Sequence, residues 1–189
     1  IHEDFQSNRN IVYGLKTGVL TEAVANPSAT GVNTSPLVGK YVRNTSEKYD
    51  VLNIKNVTIS NANDYVFGRK RISFDIYTSA PVGTKISMQL ENSLVTTATN
   101  YPSGRHSGYK ATTTVQNKWE TIEFEFEKVI DANTSALAIN NVVLLFESNS
   151  NSGATYYFDN LLTKAAPEKP IIATDVLQNY DGVNKIIKG

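Results

Sequence analysis

The chain has 189 residues and carries 18 basic and 18 acidic side chains, so its formal net charge is zero. A neutral total argues against nucleic acid or an anionic membrane as the partner. The lack of cysteine excludes a disulfide framework and a cysteine-bound metal. No apolar run approaches the roughly 20 residues of a membrane span, and the length suits one sizeable β domain or one domain with an appendage.

The N-terminal part combines short apolar runs with glycine and a long polar loop. Residues 1–24 contain two such runs, and residues 26–36 are dense in Asn, Pro, Ser, Thr and Gly, which favour turns. The chain starts at Ile1 without Met and without a signal peptide, which predicts a processed or excised piece of a longer protein. Its high Asn, Thr and Ser content is typical of an extracellular β-protein.

Regular alternation of apolar and polar residues dominates the middle of the chain. In the segment 71–78, Ile72, Phe74 and Ile76 alternate with polar or amphipathic residues, and in the segment 85–91 Ile86 and Leu90 do the same around Met88. A period of two places alternate side chains on opposite faces of a strand. Both segments are therefore predicted to be strands with one buried face.

The segment 110–127 contains two strand-like runs on either side of the only tryptophan. In its second run Ile122, Phe124 and Phe126 alternate with Glu123, Glu125 and Glu127, which predicts one half-buried strand with its carboxylates in solvent. Trp119 opens this run and is interpreted as a residue that caps the core rather than as a ligand platform.

Apolar runs at 141–147 and 155–162 complete about ten predicted strands, and only residues 132–138 are predicted to form a helical turn. The number and spacing of the strands predict an all-β fold, a jelly-roll β-sandwich of two antiparallel sheets. The sandwich is predicted to occupy residues 1–164. The proline-bearing segment 165–178 is predicted to be a linker. Residues 179–189 align without gaps with residues 4–14, with an aromatic, an apolar pair and a closing glycine in register, which predicts the start of a second, similar module. The alternative is a chance similarity between two short polar stretches.

Four segments together carry a family resemblance: residues 26–41, 86–92, 111–120 and 156–161. Over roughly residues 3 to 164 the chain resembles the non-catalytic, galactose-binding-like carbohydrate-binding modules of secreted Bacteroidetes proteins. The resemblance implies a jelly roll, a structural calcium ion in many members, glycan binding on a sheet face or at loop tips, and often a type IX secretion signal. The chain departs from the family at Tyr49, where a tryptophan is common, so stacking there is expected to be weaker.

The calcium site that the resemblance implies lies between the first strand, the loop after it and an acidic residue in the last strand. The matching positions are Glu3 or Asp4, the loop from Thr30 to Asn33, and Asp159. Calcium takes about six to eight oxygen ligands, often carboxylates together with backbone carbonyls. The alternative is that Asp159 forms a salt bridge or caps a backbone group.

Sugar binding needs exposed aromatic rings flanked by planar polar groups. The long loop predicted from residue 92 to 108, with the residue after it, supplies Tyr101, Arg105, His106 and Tyr109, and loops of this length are usually functional or mobile. Tyr49, Gln89 and Glu91 are predicted to join from neighbouring strands. The alternative is a solvated loop whose tyrosines pack on the edge of a sheet.

The sequence predicts a binding protein rather than an enzyme. A glycosidase needs a pair of carboxyl groups in a cleft, and no pair stands out here; no nucleophile-elbow, His-Glu-x-x-His or phosphate-loop motif occurs. The first hypothesis is a carbohydrate-binding module of a secreted or cell-surface multidomain protein. Its expected partners are a polysaccharide or surface glycan and neighbouring modules of the same polypeptide. The alternative is a structural β-sandwich repeat of a surface adhesin or filament.

Overall fold

The computed structural model describes residues 1–166, which form eleven strands and one short helix. In chain order these are β1 (Val12–Lys16), β2 (Val19–Ala25), β3 (Leu37–Val42), β4 (Leu52–Lys55), α1 (Asn63–Val66), β5 (Lys70–Thr78), β6 (Lys85–Glu91), β7 (Arg105–Thr112), β8 (Trp119–Glu123), β9 (Glu125–Val129), β10 (Asn141–Phe146) and β11 (Thr155–Ala165). The helix of four residues is far too short to cross a bilayer, and no other helix occurs within 1–166.

The strands form two sheets. One has six strands in the order β1-β4-β10-β6-β7-β9, and the other has five in the order β2-β3-β11-β5-β8. Every neighbouring pair in both sheets is antiparallel. This confirms the predicted all-β sandwich of two antiparallel sheets.

The core lies between the sheets and is built from the predicted inward positions. Ile86, Met88 and Leu90 of β6 are all at most 1% exposed, as are the inward residues of β5. Phe74 packs against rings from three other strand regions, which are Phe124, Phe146 and Phe158. Full burial of one such side chain contributes about 1.5–3 kcal/mol, and the contact of Phe74 with Phe146 joins the two sheets.

The alternating run after Trp119 is two strands in different sheets. β8 pairs with β5 in the five-stranded sheet, whereas β9 pairs with β7 in the six-stranded sheet. Between them, the amide of Phe124 donates to the carbonyl of Ile72 at 3.0 Å. The prediction of one continuous strand is therefore wrong, because a period of two fixes the side chains to a face but not to a sheet. As a result Phe126 lies at a sheet edge and remains 38% exposed.

Trp119 is structural, but it does not cap the core between the sheets. Its cross-strand partner is Tyr77, whose ring centroid lies 5.7 Å away on the outward side of the five-stranded sheet. The indole Nε1 donates to Oδ1 of Asn26 at 3.0 Å, so the loop after β2 covers the ring. The predicted helical turn at residues 132–138 is also wrong, because that segment forms turns.

The predicted linker 165–178 and second module 179–189 lie, from residue 167 onward, outside the described residues. The last strand reaches Ala165, one residue beyond the predicted end of the sandwich. The amide of Ala166 donates to the carbonyl of Arg69 at 2.8 Å.

Candidate functional site

The outward side of the six-stranded sheet, here called the six-stranded face, is rich in polar side chains. The cross-strand register and the alternation of side chains place these residues on it: Asn53, Lys55, Lys85, Ser87, Gln89, Glu91, Gly108, Lys110, Asn141, Val143 and Leu145. Val143 and Leu145 are only 3% and 6% exposed although they point outward. Neighbouring side chains therefore cover these two apolar residues in the middle of the face.

Arg105 anchors the loop at one end of this face. Its Nε lies 3.7 Å from Oε1 of Glu91. Its Nη1 donates to Oδ1 of Asn100 at 3.2 Å and to the carbonyl of Ser103 at 3.1 Å. Its Nη2 donates to the carbonyl of Thr97 at 2.8 Å. One guanidinium thus ties a carboxylate at the end of β6 to three points of the loop 92–104, and this fixes the loop against the sheet.

Glu91 is a buried carboxylate that this guanidinium partly compensates. Burial raises the pKa of Glu91, and the charge of Arg105 together with a hydrogen bond from Asn141 opposes that rise. Beside the pair, the guanidinium lies 5.4 Å from the centroid of the Tyr101 ring, a cation–π distance. The ring itself is 61% exposed, so Tyr101 is available for stacking at this end of the face.

A cavity of about 340 Å³ continues from this corner between the loop 92–104 and the loop after β9. Its lining is Asn92, Val95, Ser103, Asp131, Asn133, Thr134, Ser135 and Ala138. Asp131 holds the cavity wall together, because its Oδ2 accepts the amide of Gly104 at 3.1 Å and the hydroxyl of Thr134 at 2.6 Å. Hydroxyl and amide groups at such a loop end are suited to hydrogen bonds with sugar hydroxyls.

Tyr109 and His106 do not belong to the exposed loop, because β7 already begins at Arg105. Tyr109 lies opposite Met88 and is 2% exposed in the core, where its hydroxyl lies 2.9 Å from Oγ of Ser107. Burial raises its pKa to about 12, with Ser107 opposing. His106 is buried as well, its Nδ1 lies 2.9 Å from the same Ser107 hydroxyl, and burial lowers its pKa. The prediction of Tyr109 as a stacking residue is wrong, and His106 has little surface to offer.

Tyr49 and Tyr101 are both exposed, but they lie at opposite ends of the six-stranded sheet. Tyr49 is 63% exposed and follows Lys48, whose carbonyl accepts the amide of Asn149 beyond the end of β10. The seven residues of β6 separate the two ends by about 20 Å. The structure therefore brings together Gln89, Glu91, Arg105 and Tyr101 of the predicted set, and leaves Tyr49 apart from them.

Sequence reasoning missed the lysines of this face. Lys55, Lys110 and Lys128 are exposed on β4, β7 and β9, and none of the ion pairs found within residues 1–166 includes them. The sequence signal that could have found the lysines is the alternation that had already placed Ser87 and Gln89 on the outward face of their strand. Register across the sheet, which the sequence does not show, was needed to bring the lysines together.

Three of the residues predicted to hold calcium either contact other groups or are exposed to solvent. The Asp4 carboxylate caps its own turn: burial works against its ionisation, but hydrogen bonds from Asn8, Gln6 and Ser7 outweigh it and lower its pKa to about 2. Thr30 is exposed, and Asn33 points its Nδ2, a donor, at Oδ2 of Asp159 at 2.9 Å. Across the described part of the chain, no three acidic or histidine side chains form a ready-made metal cluster.

Glu3 and Asp159 do have the character of cation ligands. Oε2 of Glu3 and Oδ1 of Asp159 are buried without a hydrogen-bond partner in residues 1–166, and so is the hydroxyl of Tyr13. Burial raises the pKa of both carboxyls. Burial also raises the pKa of Tyr13, and the charges of Glu3, Glu22 and Asp159 add to the rise while Arg9 opposes it. The charges of three carboxylates and one guanidinium therefore act on this hydroxyl.

Comparison with known proteins rests on structure alone. Neither a scan against protein-family profiles nor a search of curated proteins gave a match. Among solved structures, the chain resembles a family 11 carbohydrate-binding module from Clostridium thermocellum, in complex with a β-1,3-1,4-mixed-linked tetrasaccharide, with a TM-score of 0.50, 15% identity, and coverage of 88% of this chain and 95% of that one. It also resembles a family 30 carbohydrate-binding module (TM-score 0.51, 10% identity, 82% and 91% covered).

A further similar structure is that of an exo-β-agarase, with a TM-score of 0.56 and 14% identity over 88% of this chain. The chain spans only 25% of that agarase, which limits the likeness to one part of the enzyme. At these identities the comparisons show a shared architecture. The chain therefore has the β-sandwich fold found in these carbohydrate-binding modules.

Proposed function

We propose that this chain is a non-catalytic carbohydrate-binding module that binds a polysaccharide across the six-stranded face. The observation that carries the proposal is the continuity of a polar sheet face with a loop corner that presents an exposed ring. Gln89 lies on the face, and at its end Arg105 supports Tyr101 beside a cavity of about 340 Å³. The similar modules of families 11 and 30 support the assignment, because they match over nearly their whole length.

The carboxylates support binding rather than glycoside hydrolysis. Glu91 is paired with Arg105, and Glu127 is paired with Lys85 at 2.7 Å. Asp75 and Asp159 both accept from the amide of Asn33, at 3.3 and 2.9 Å, but they are 5% and 0% exposed. A hydrolase must bring two carboxyl groups to the glycosidic bond, and these pairs are either neutralised by a cation or inaccessible to a sugar.

The proposed setting is a larger protein that is secreted or held at a cell surface, where polysaccharides are found. Export through the type IX pathway and a Bacteroidetes origin belong to this proposal and rest on the family resemblance. Neighbouring modules of the same polypeptide would add avidity, because a second linked site raises the effective concentration of the glycan.

The decisive test is retention of the protein in affinity gels that contain β-glucans, xylans or alginates. We expect retention by at least one of these polymers, and the variant Tyr101→Ala is expected to weaken it about fivefold, since an aromatic contact is worth about 1 kcal/mol. Tyr49→Ala is the matched control, because Tyr49 is equally exposed at the other end of the sheet.

An equal loss in both tyrosine variants would place the ligand elsewhere than at the Tyr101 corner. No retention by any polymer would contradict the function itself. The sandwich would then be better explained as a structural repeat of a surface adhesin or filament, the second hypothesis from the sequence.

We further propose that a calcium ion binds between the N-terminal segment and β11. Glu3 and Asp159 would hold it through their unpartnered oxygens, because a buried carboxylate oxygen without a hydrogen bond needs a compensating partner and calcium favours oxygen ligands. The ion would supply charge neutralisation and would fix the N-terminal segment, where Glu3 pairs with Leu161 of β11.

Calcium is expected to raise the melting temperature by about 5–10 °C at concentrations near 100 times its dissociation constant. Asp159→Asn should abolish this rise and should melt no lower than the wild type in chelator, because it removes a buried charge. Asp4→Asn is the control: it should lower the melting temperature in both conditions, with the calcium increment intact. Differential scanning calorimetry measures these melting temperatures. Equal melting temperatures of the wild type with calcium and with chelator would contradict the proposed calcium site.

A further inference from the structure

The six-stranded face has no aromatic ring from its own strands. Register and alternation turn Tyr13, Tyr109, Phe126 and Phe146 toward the core side of this sheet, and Tyr101 stands only at its end. A sugar lying along the middle of the face therefore cannot stack on a ring there. Its binding must come from hydrogen bonds and charge.

The hydrogen-bonding groups on the face are mainly donors. Lys110 pairs with Ser87 on one side and Glu125 on the other, and Lys128 lies opposite Gly108. A lysine ammonium has three donors and no acceptor. The glycine leaves room beside Lys128, since a Cβ at position 108 would lie 3.8 Å from its Cγ. Lys55 adds a third exposed ammonium on β4.

The carboxylates on the face cancel only part of these charges. Glu91 is paired with Arg105, and Glu127 is paired with Lys85. Lys85 donates a hydrogen bond to Glu127, which lowers the pKa of that carboxyl, and the charges of Lys110 and Lys128 contribute as well. Glu125 is the remaining exposed acidic group on β9. Three lysines against one glutamate leave the face positive, although the whole chain is neutral.

We propose that the ligand of the six-stranded face is an anionic polysaccharide, bound through its carboxylate or sulfate groups by Lys110 and Lys128. This inference rests on the proposed carbohydrate-binding function and names the class of glycan. Neutral glycans offer donors and acceptors in equal measure, whereas anionic groups offer only acceptors, which a donor-rich face complements. A repeating polymer meets several such lysines at once, so individually weak contacts add.

Affinity electrophoresis in polygalacturonate, in a sulfated galactan and in a neutral β-glucan tests the proposal. We expect an acidic polymer to retain the wild type, with the retention lost in roughly 0.5 M salt because exposed charges are screened. The double variant Lys110→Gln/Lys128→Gln should bind about tenfold more weakly. Lys118→Gln, an exposed lysine on the turn after β7, should bind like the wild type. Glu125→Gln should bind the acidic polymer more tightly than the wild type, which is the opposite of the effect expected for the double lysine variant.

The uronate and sulfate arms identify which anion the face accepts, and retention by either supports the proposal. Retention by the neutral β-glucan that is undiminished in the double variant would overturn it and leave the carbohydrate-binding function intact. Equal binding to a DNA duplex would also overturn it, because the face would then be a general polyanion surface. Failure to bind any of the glycans would contradict the inference and the proposed function together. Unchanged melting temperatures of the lysine variants would show that any loss of binding is local.

Discussion

Arg105→Met is expected to destabilise the protein by about 3 kcal/mol and to abolish binding at the Tyr101 corner. The substitution leaves the carboxylate of Glu91, 4% exposed, without its cation, and removal of one partner of a buried pair costs about 3–5 kcal/mol. It also removes the donors that hold the loop at Thr97 and Asn100. Denaturant unfolding and affinity electrophoresis measure the two effects separately.

Glu91→Gln provides the matched control for this variant. It should lower the free energy of unfolding by less, because Arg105 keeps its loop acceptors, and the double variant should recover part of the loss seen in Arg105→Met alone.

Burial already raises the pKa of Glu91, and loss of Arg105 raises it further. A raised pKa means that the folded state binds more protons, so the deficit of Arg105→Met should shrink as the pH falls from 7 toward 5. His2 and His106 occur in both proteins and cancel in this difference. A deficit that grows over this range would contradict the buried pair.

Gly39→Ala is expected to have an effect of similar size for a steric reason. A Cβ at Gly39 in β3 would fall against the Phe5 ring, 2.7 Å from its Cε2, and 3.0 Å from Cε1 of Phe158. Both rings are at most 2% exposed and pack edge to face on one another, so neither can move away cheaply. Overpacking of this kind costs about 3 kcal/mol, which lowers the melting temperature by roughly 10 °C.

Gly14→Ala is the control for this steric argument. A Cβ at Gly14 in β1 meets Cε of Lys55 at 2.9 Å, the far end of a flexible side chain. We expect a change in melting temperature of no more than about 2 °C, because Gly14 is only half-buried and the lysine end that it meets can move away at a cost of about 0.5 kcal/mol. Equal melting of the two alanine variants would show that the Phe5 ring does not pack on β3 as described.

Local alternation predicted the strands well, and the reason is visible in β5 and β6. Each strand has one face in the core, so burial of that face requires apolar residues at every second position, and this alternation is present in the sequence. The same rule failed after Trp119, where the chain leaves one sheet at Phe124 and enters the other. It failed again at Tyr109, because β7 begins earlier than the loop composition suggests.

The candidate site was only partly predictable for a related reason. Gln89, Glu91, Arg105 and Tyr101 lie near one another along the hairpin of β6 and β7, so their grouping could be inferred from short sequence separations. The lysines of β4, β7 and β9 reach one face, and Glu3 lies beside β11, only through non-local strand pairing.

The sequence by itself determined that the chain is a two-layer β-protein, because a strand with one buried face has alternating apolar and polar residues. The tertiary structure alone decided which strands share a sheet, which way Tyr109 points, and which charges stand side by side. Strand order and register depend on pairing between segments far apart in the chain. Local periodicity does not indicate which strand is the neighbour of a given strand.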